Sequence, residues 1–206
     1  MTLPHPPLLI ISDRSQSRRP VIEVATAAFK GGCRWFSLRE KDLPAAERRA
    51  LLTDLVALGR GFGATVTVHD DIDAVDATGA GGVHLPGGGD PAAARARLPG
   101  RLIGVSAHSA REATALIATG ADYVTVSPVF LTDSKPGYGP ALGLDGLAKA
   151  VAAAKGPVIA LAGITPANAA SCLMAGAAGI AVMGEVMRSA DPEATVRALV
   201  VALTTA

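Results

Sequence analysis

Val158-Ile159-Ala160-Leu161-Ala162-Gly163-Ile164-Thr165-Pro166 places a short apolar run, a glycine and a hydroxyl-bearing residue before proline in one continuous stretch. Four apolar residues without polar alternation suit a parallel strand buried on both faces. A side-chain oxygen just ahead of a proline marks a helix start. The oxygen can accept an orphan N–H, and proline fits the first helical position. The stretch therefore predicts a strand, a tight turn, and a helix capped by Thr165.

Working outward, the same unit recurs along the chain. Short apolar runs alternate with longer Ala-rich segments at a spacing of about 20 to 30 residues, the pattern of successive βα units. Strands are predicted over Leu8 to Ile11, Arg34 to Leu38, Thr65 to Val68, Gly82 to Leu85, Leu102 to Val105, Tyr123 to Val126, Val158 to Leu161 and Ile180 to Met183. Asp90-Pro91 and Asp191-Pro192 repeat the helix-start pairing, and Ser109 through Glu112 has the form of a capping box. Eight parallel strands with right-handed crossovers close into a barrel, whereas an open doubly wound sheet carries a glycine fingerprint after its first strand. No GxGxxG follows Leu8 to Ile11. The expected class is α/β, a (β/α)8 TIM barrel, and residues 1–206 are expected to form a single domain, below the roughly 250 residues at which cores divide.

Composition narrows the function classes. Lys plus Arg number 19 against 18 Asp plus Glu, so the formal charge of +1 offers no broad field for nucleic acid or anionic membrane. A charged ligand must be held locally. Half of the residues are hydrophobic but only 3% are aromatic, so the core has to be built from Ala, Val, Leu and Ile. Cys33 and Cys172 are far apart and form no CxxC pair, which argues for two small buried hydrophobes rather than a zinc site or disulfide. No apolar run reaches the length of a membrane span, so a cytoplasmic protein with a small phosphorylated substrate is expected, and a homodimer is compatible with it.

Barrels of this kind carry function at the C-terminal strand ends. Ser37, Arg39 and Lys41 alternate with Leu38 and Glu40, which aims both cations one way and suits an anion; pairing with Glu40 and Asp42 on a solvated face is the alternative. His69 stands beside Asp70 and Asp71 at a strand end and is the preferred general base. His84 is expected as a packed core histidine, His108 as part of the helix entry at Ser109, and His5 as part of a disordered start. Thr132, Ser134 and Lys135 bring two hydroxyls and an ammonium into one loop that can wrap a phosphate or simply form a surface turn. Gly163, before the predicted helix, and Gly184 would supply free backbone N–H groups for the same anion.

With these residues assembled, the chain resembles the thiamin phosphate synthase and thiazole tautomerase (TenI) family over nearly its whole length. The ordered motifs are Leu9-Ile10-Ile11-Ser12-Asp13, Leu38-Arg39-Glu40-Lys41, His69-Asp70-Asp71-Ile72-Asp73, Gly82-Val83-His84-Leu85, Ile103 to Ser109, Ser127 to Lys135, and Ala162-Gly163-Ile164-Thr165. The resemblance implies a thiazole phosphate held by Thr132, Ser134 and backbone groups at Gly163 and Gly184. For a synthase it further implies Arg39, Lys41, Ser106 and Lys135 on the pyrophosphate of an aminopyrimidine, with Mg2+ on Asp70. The family's glutamine and asparagine are replaced by Ser37 and His69, and its second magnesium aspartate aligns with Gly89, beside Asp90. Those losses, with the Leu85 to Gly89 stretch, favour a metal-free thiazole tautomerase. The histidine of that branch aligns with Pro128, so the proton-transfer role is expected to move to His69. A synthase, and a binder of thiamin-pathway phosphates without catalysis, are the alternatives.

Overall fold

The computed structural model describes residues 2–134, 137 and 139–204. Eight parallel strands, β1 (Leu8–Ile11), β2 (Trp35–Leu38), β3 (Thr65–His69), β4 (Gly82–Leu85), β5 (Leu102–Ala107), β6 (Tyr123–Val126), β7 (Val158–Leu161) and β8 (Gly179–Val182), pair in sequence order. The ring closes where Leu9 of β1 sits opposite Ala181 of β8. All eight expected strands are present; β1, β4, β6 and β7 have the expected bounds, and the ends of β2, β3, β5 and β8 move by one or two residues. β8 stops at Val182 because Met183 leaves the extended region (φ −129°, ψ −81°) to start the next helix.

Helices α1 (Val21–Lys30), α2 (Ala45–Gly61), α3 (Ile72–Thr78), α4 (Pro91–Arg97), α5 (Ala110–Ala118), α6 (Gly143–Ala154), α7 (Ala169–Met174), α8 (Gly184–Met187) and α9 (Pro192–Thr204) form the outer layer. Caps fall where the sequence places them at α4, α5 and α9: Asp90 accepts from the N–H of Ala92 and Ala93, Ser109 from Glu112, and Asp191 from Ala194. The cap expected at Thr165 is a correction. Residues 166–168 form a non-helical turn, α7 begins at Ala169, and the Asn168 amide oxygen accepts the Thr165 N–H at 2.8 Å.

Small residues decide how closely the layers pack. Most of the buried core, including Val24, Ala28, Leu52, Leu55, Ala113, Ala150 and Leu199, lies between strands and helices. A second cluster, Leu9, Ile11, Trp35, Leu102, Tyr123, Ile159 and Ala181, fills the barrel interior. Leu3 packs against this inner cluster and the Pro7 carbonyl accepts the Ile180 N–H at 3.0 Å, so the segment holding His5 is ordered, contrary to the sequence expectation. Side chains also leave room for one another inside: the Tyr123 ring lies where a side chain on Gly104 would be. Cys33 and Cys172 are both free thiols buried in the protein. Among the described residues no helix is long and apolar enough to cross a membrane.

Candidate active site

A cavity of about 490 Å³ opens at the C-terminal ends of the strands. Arg39, Lys41, His69, Asp70 and Ser106 line one arc of it, and Thr132, Ser134, Gly163 and Gly184 line the other. In a closed ring of eight, β2 and β3 stand opposite β6 and β7, so the two sets face each other across the mouth. Lys135, expected in the same constellation, lies outside the described residues.

The β2 end shows why both cations reach the cavity. Ser12, just beyond β1, accepts the Arg39 N–H on its Oγ at 2.9 Å and pins the strand end. Glu40 turns away from solvent and accepts the Arg14 N–H at 2.9 Å; burial, the largest effect on it, pushes its carboxyl up. Asp42 is taken by the Arg14 guanidinium at 2.7 Å. The acids that would have paired a solvated face are therefore spent on Arg14. Among the described residues, the carboxylate paired with Arg39 is Asp13, at 3.7 Å.

The His69-Asp70-Asp71 run divides its labour. Asp71 is structural: it caps α3 by accepting the Ala74 N–H at 2.9 Å and pairs with Arg48 at 3.0 Å. Asp70 lines the cavity with a left-handed backbone (φ +53°), held by its N–H bond to the His84 carbonyl. His69 packs its ring on His84 with centroids 4.7 Å apart, and its Nε2 is buried without a hydrogen-bond partner. Burial first, then His84, Arg39 and Lys41, hold its imidazole well below the usual histidine range. It is therefore neutral near pH 7, in an environment that resists protonation.

A metal would find few protein ligands. Among the described residues there is no group of three or more His, Cys, Asp or Glu placed to hold an ion. Asp90, the alternative second carboxylate, is committed to capping α4. Asp70 is the expected ligand that does face the cavity.

Histidines from β4 and β5 join the wall. His84 is buried as expected, yet it also lines the cavity: its Nδ1 is 3.0 Å from the Tyr123 hydroxyl and its Nε2 is 3.0 Å from Ser106 Oγ. His108 serves the α5 entry, where its N–H donates to Glu112, and its ring also lines the cavity with Nδ1 3.0 Å from the Ser127 carbonyl. Burial lowers the His84 pKa to about 3 and raises the Tyr123 phenol, so both are neutral.

On the opposite wall, Thr132 Oγ1 accepts the Ser134 N–H at 3.2 Å, and the Ser134 hydroxyl bonds to Gln16 at 3.0 Å. Gly163 (φ +66°) leaves room for Phe130 and the Leu131 carbonyl to lie across it. At Gly184 the space of a side chain is taken by the Arg188 guanidinium and Ser134 Oγ. Arg188 Nη1 donates to Ser134 Oγ at 3.0 Å and also contacts Gln16. The helix start expected after Gly163 moves to Ala169, and the Thr165 N–H is bound to Asn168. Arg188, Asp133, Glu185 and the His108 ring also line the cavity and were not anticipated. The signal available for Arg188 was its position one helical turn after Gly184, on the same face.

Three comparisons place this geometry among known proteins. The family model described as thiamine monophosphate synthase matches residues 8–186. A thiamine-phosphate synthase of Roseiflexus castenholzii is 40% identical, covering 92% of this chain and 85% of that protein. A thiamine-phosphate synthase of Moorella thermoacetica is 38% identical, over 93% and 92% of the two chains. The solved thiamine phosphate pyrophosphorylase of Pyrococcus furiosus superposes with a TM-score of 0.87 at 33% identity, covering 96% of this chain and 95% of its own. On the match over residues 8–186 and these identities, the chain belongs to the thiamine monophosphate synthase family.

Proposed function

We propose that this chain is a thiamin-pathway transferase that joins hydroxymethylpyrimidine pyrophosphate to thiazole phosphate and releases pyrophosphate. The observation that carries it is one cavity lined by Arg39 and Lys41 at the β2 end and by Thr132 and Ser134 after β6, on the opposite side of the ring, which suits two anionic groups. One phosphorylated substrate needs one such side; two need both. The names of the relatives support the synthase over the tautomerase that the sequence favoured.

In this mechanism the C–O bond between the pyrimidine methylene and the leaving pyrophosphate breaks, and a C–N bond to the thiazole nitrogen forms. Negative charge grows on the departing oxygens. Arg39 and Lys41 stabilise it in a site whose apolar lining from Ile11, Leu161 and Ala181 strengthens electrostatics by excluding water. Lys135 is assigned to the same anion. Thr132, Ser134 and Gly163 hold the thiazole phosphate so that its ring nitrogen faces the carbon. A divalent cation, when bound, would further neutralise the leaving group. Asp70, which lines the cavity, would hold it as a single carboxylate.

His69 favours a second reading. A neutral imidazole with an unpartnered Nε2 is equipped to move a proton, as a thiazole tautomerase requires. One experiment separates the two. Given both synthase substrates and Mg2+, the folded chain should release pyrophosphate stoichiometrically with the joined product. Release no faster than buffer background, combined with isomerisation of a non-aromatic thiazole carboxylate phosphate, would transfer the assignment to the tautomerase. Tight thiazole phosphate binding with neither turnover would leave a binding protein.

A further inference from the structure

Ser106 and His84 stand at the hydrogen-bond distance of a serine nucleophile and its base, 3.0 Å between Oγ and Nε2. Which way the proton points decides what Ser106 can do, and the other side of the imidazole settles it. A neutral imidazole has one N–H and one bare nitrogen. A doubly protonated His84 ring would donate from Nδ1 too and meet the same obstacle as the Nδ1–H tautomer, the phenol facing it. Its Nδ1 faces the Tyr123 hydroxyl at 3.0 Å. Were Nδ1 to carry the proton, it would donate to Tyr123, and the buried phenol proton would be left without any acceptor among the described residues. Buried donors are rarely left in that state. With Nδ1 bare, the phenol donates to it and both buried protons, on Tyr123 and on the imidazole, have a partner.

Once Tyr123 donates to Nδ1, Nε2 must carry the hydrogen. His84 then donates to Ser106 Oγ, with Thr125 Oγ1 as a more distant neighbour at 3.4 Å. Ser106 Oγ is thereby an acceptor toward the protein, and its own hydroxyl proton is left over. Ser106 lines the same cavity as Arg39 and Lys41, so that proton is available to an anion held there. We propose that Tyr123 locks His84 as its Nε2–H tautomer, which makes Ser106 a committed hydrogen-bond donor to an anionic ligand oxygen and bars it from acting as a nucleophile. Gly104 is part of the device, because the Tyr123 ring reaches His84 across the space a side chain there would fill. Tyr123 and His84 are positioning residues; Ser106 is the group that touches the ligand.

The anionic ligand follows from the proposed function, but the lock does not, and the tests keep them apart. Long-range 1H–15N correlation spectra of the full chain, with histidines labelled, should show His84 as the Nε2–H tautomer near pH 7.5. An Nδ1–H tautomer in the wild-type protein overturns the proposal without any variant being needed. Titration with inorganic pyrophosphate provides the second readout. Ser106→Ala should weaken binding about tenfold, Tyr123→Phe about threefold or more with His84 losing its single tautomer, and the double variant should bind no worse than Ser106→Ala. Equal affinity in all four proteins, or additive losses, would also overturn it. Pyrophosphate binding that depends on Ser106 in a protein unable to join the two substrates would sink the transferase assignment and leave the lock standing.

Discussion

Ala162 holds a backbone angle that alanine rarely adopts, φ +82°, immediately before Gly163 at +66°. Its Cβ crowds the carbonyl there, at a cost of about 1–2 kcal/mol, while glycine would pay only its smaller chain entropy. Ala162→Gly should therefore raise stability by up to about 1 kcal/mol in denaturant titrations, with substrate affinity unchanged or better. The end of β8 carries a second expectation. A serine at Gly184 would collide with Arg188 and Ser134, so Gly184→Ser should displace both from the proposed phosphate wall. Loss of one charge-assisted contact predicts at least about tenfold weaker thiazole phosphate binding by calorimetry. Arg188→Ala should weaken it similarly, and unchanged affinity in both variants would mean that the guanidinium faces solvent when the ligand arrives.

At the level of elements, the strands were legible because a buried parallel strand must be a short apolar run, and alternation fixes which residues face inward. Arg39, Lys41, His69 and Ser106 follow from that rule. Arg188 and the His108 ring do not, because they come from a helix end and a loop, where no strand alternation sets the direction of the side chain. Helix starts were legible where Asp or Ser caps within hydrogen-bond reach of the first turn. Thr165 misled because Asn168, three residues later, folds back onto the Thr165 N–H and the Gly163 carbonyl and delays α7. Ser109→Ala should cost about 1 kcal/mol by removing the α5 cap, measured as a shift in the urea midpoint. Thr165→Val should cost less, since its hydroxyl caps nothing. Sequence favoured the tautomerase, whereas the names of the relatives support the synthase. The residues for both, Arg39 with Lys41 and His69, occupy one wall, and the choice needs relatives rather than spacing.

For the molecule as a whole, an interior histidine makes stability sensitive to acid. His84 titrates near 6.5 when unfolded but near 3 in the barrel, so between those values the unfolded chain binds more protons. Stability therefore falls as pH drops through that window, by about 2 kcal/mol between pH 7.5 and 5 from His84 alone. His69, also depressed by burial, acts in the same direction. Denaturant unfolding at the two pH values checks this, and His84→Gln should flatten the difference. A pH-independent stability would mean that water reaches the imidazole.

Leu3 packs on the inner cluster that includes Leu9, Trp35 and Tyr123, and the Pro7 carbonyl bonds to β8, so among the described residues the far end of the barrel is filled. Under the proposed transfer, two molecules would share the vestibule at the other end, and the one seated deeper would have to arrive first and depart last.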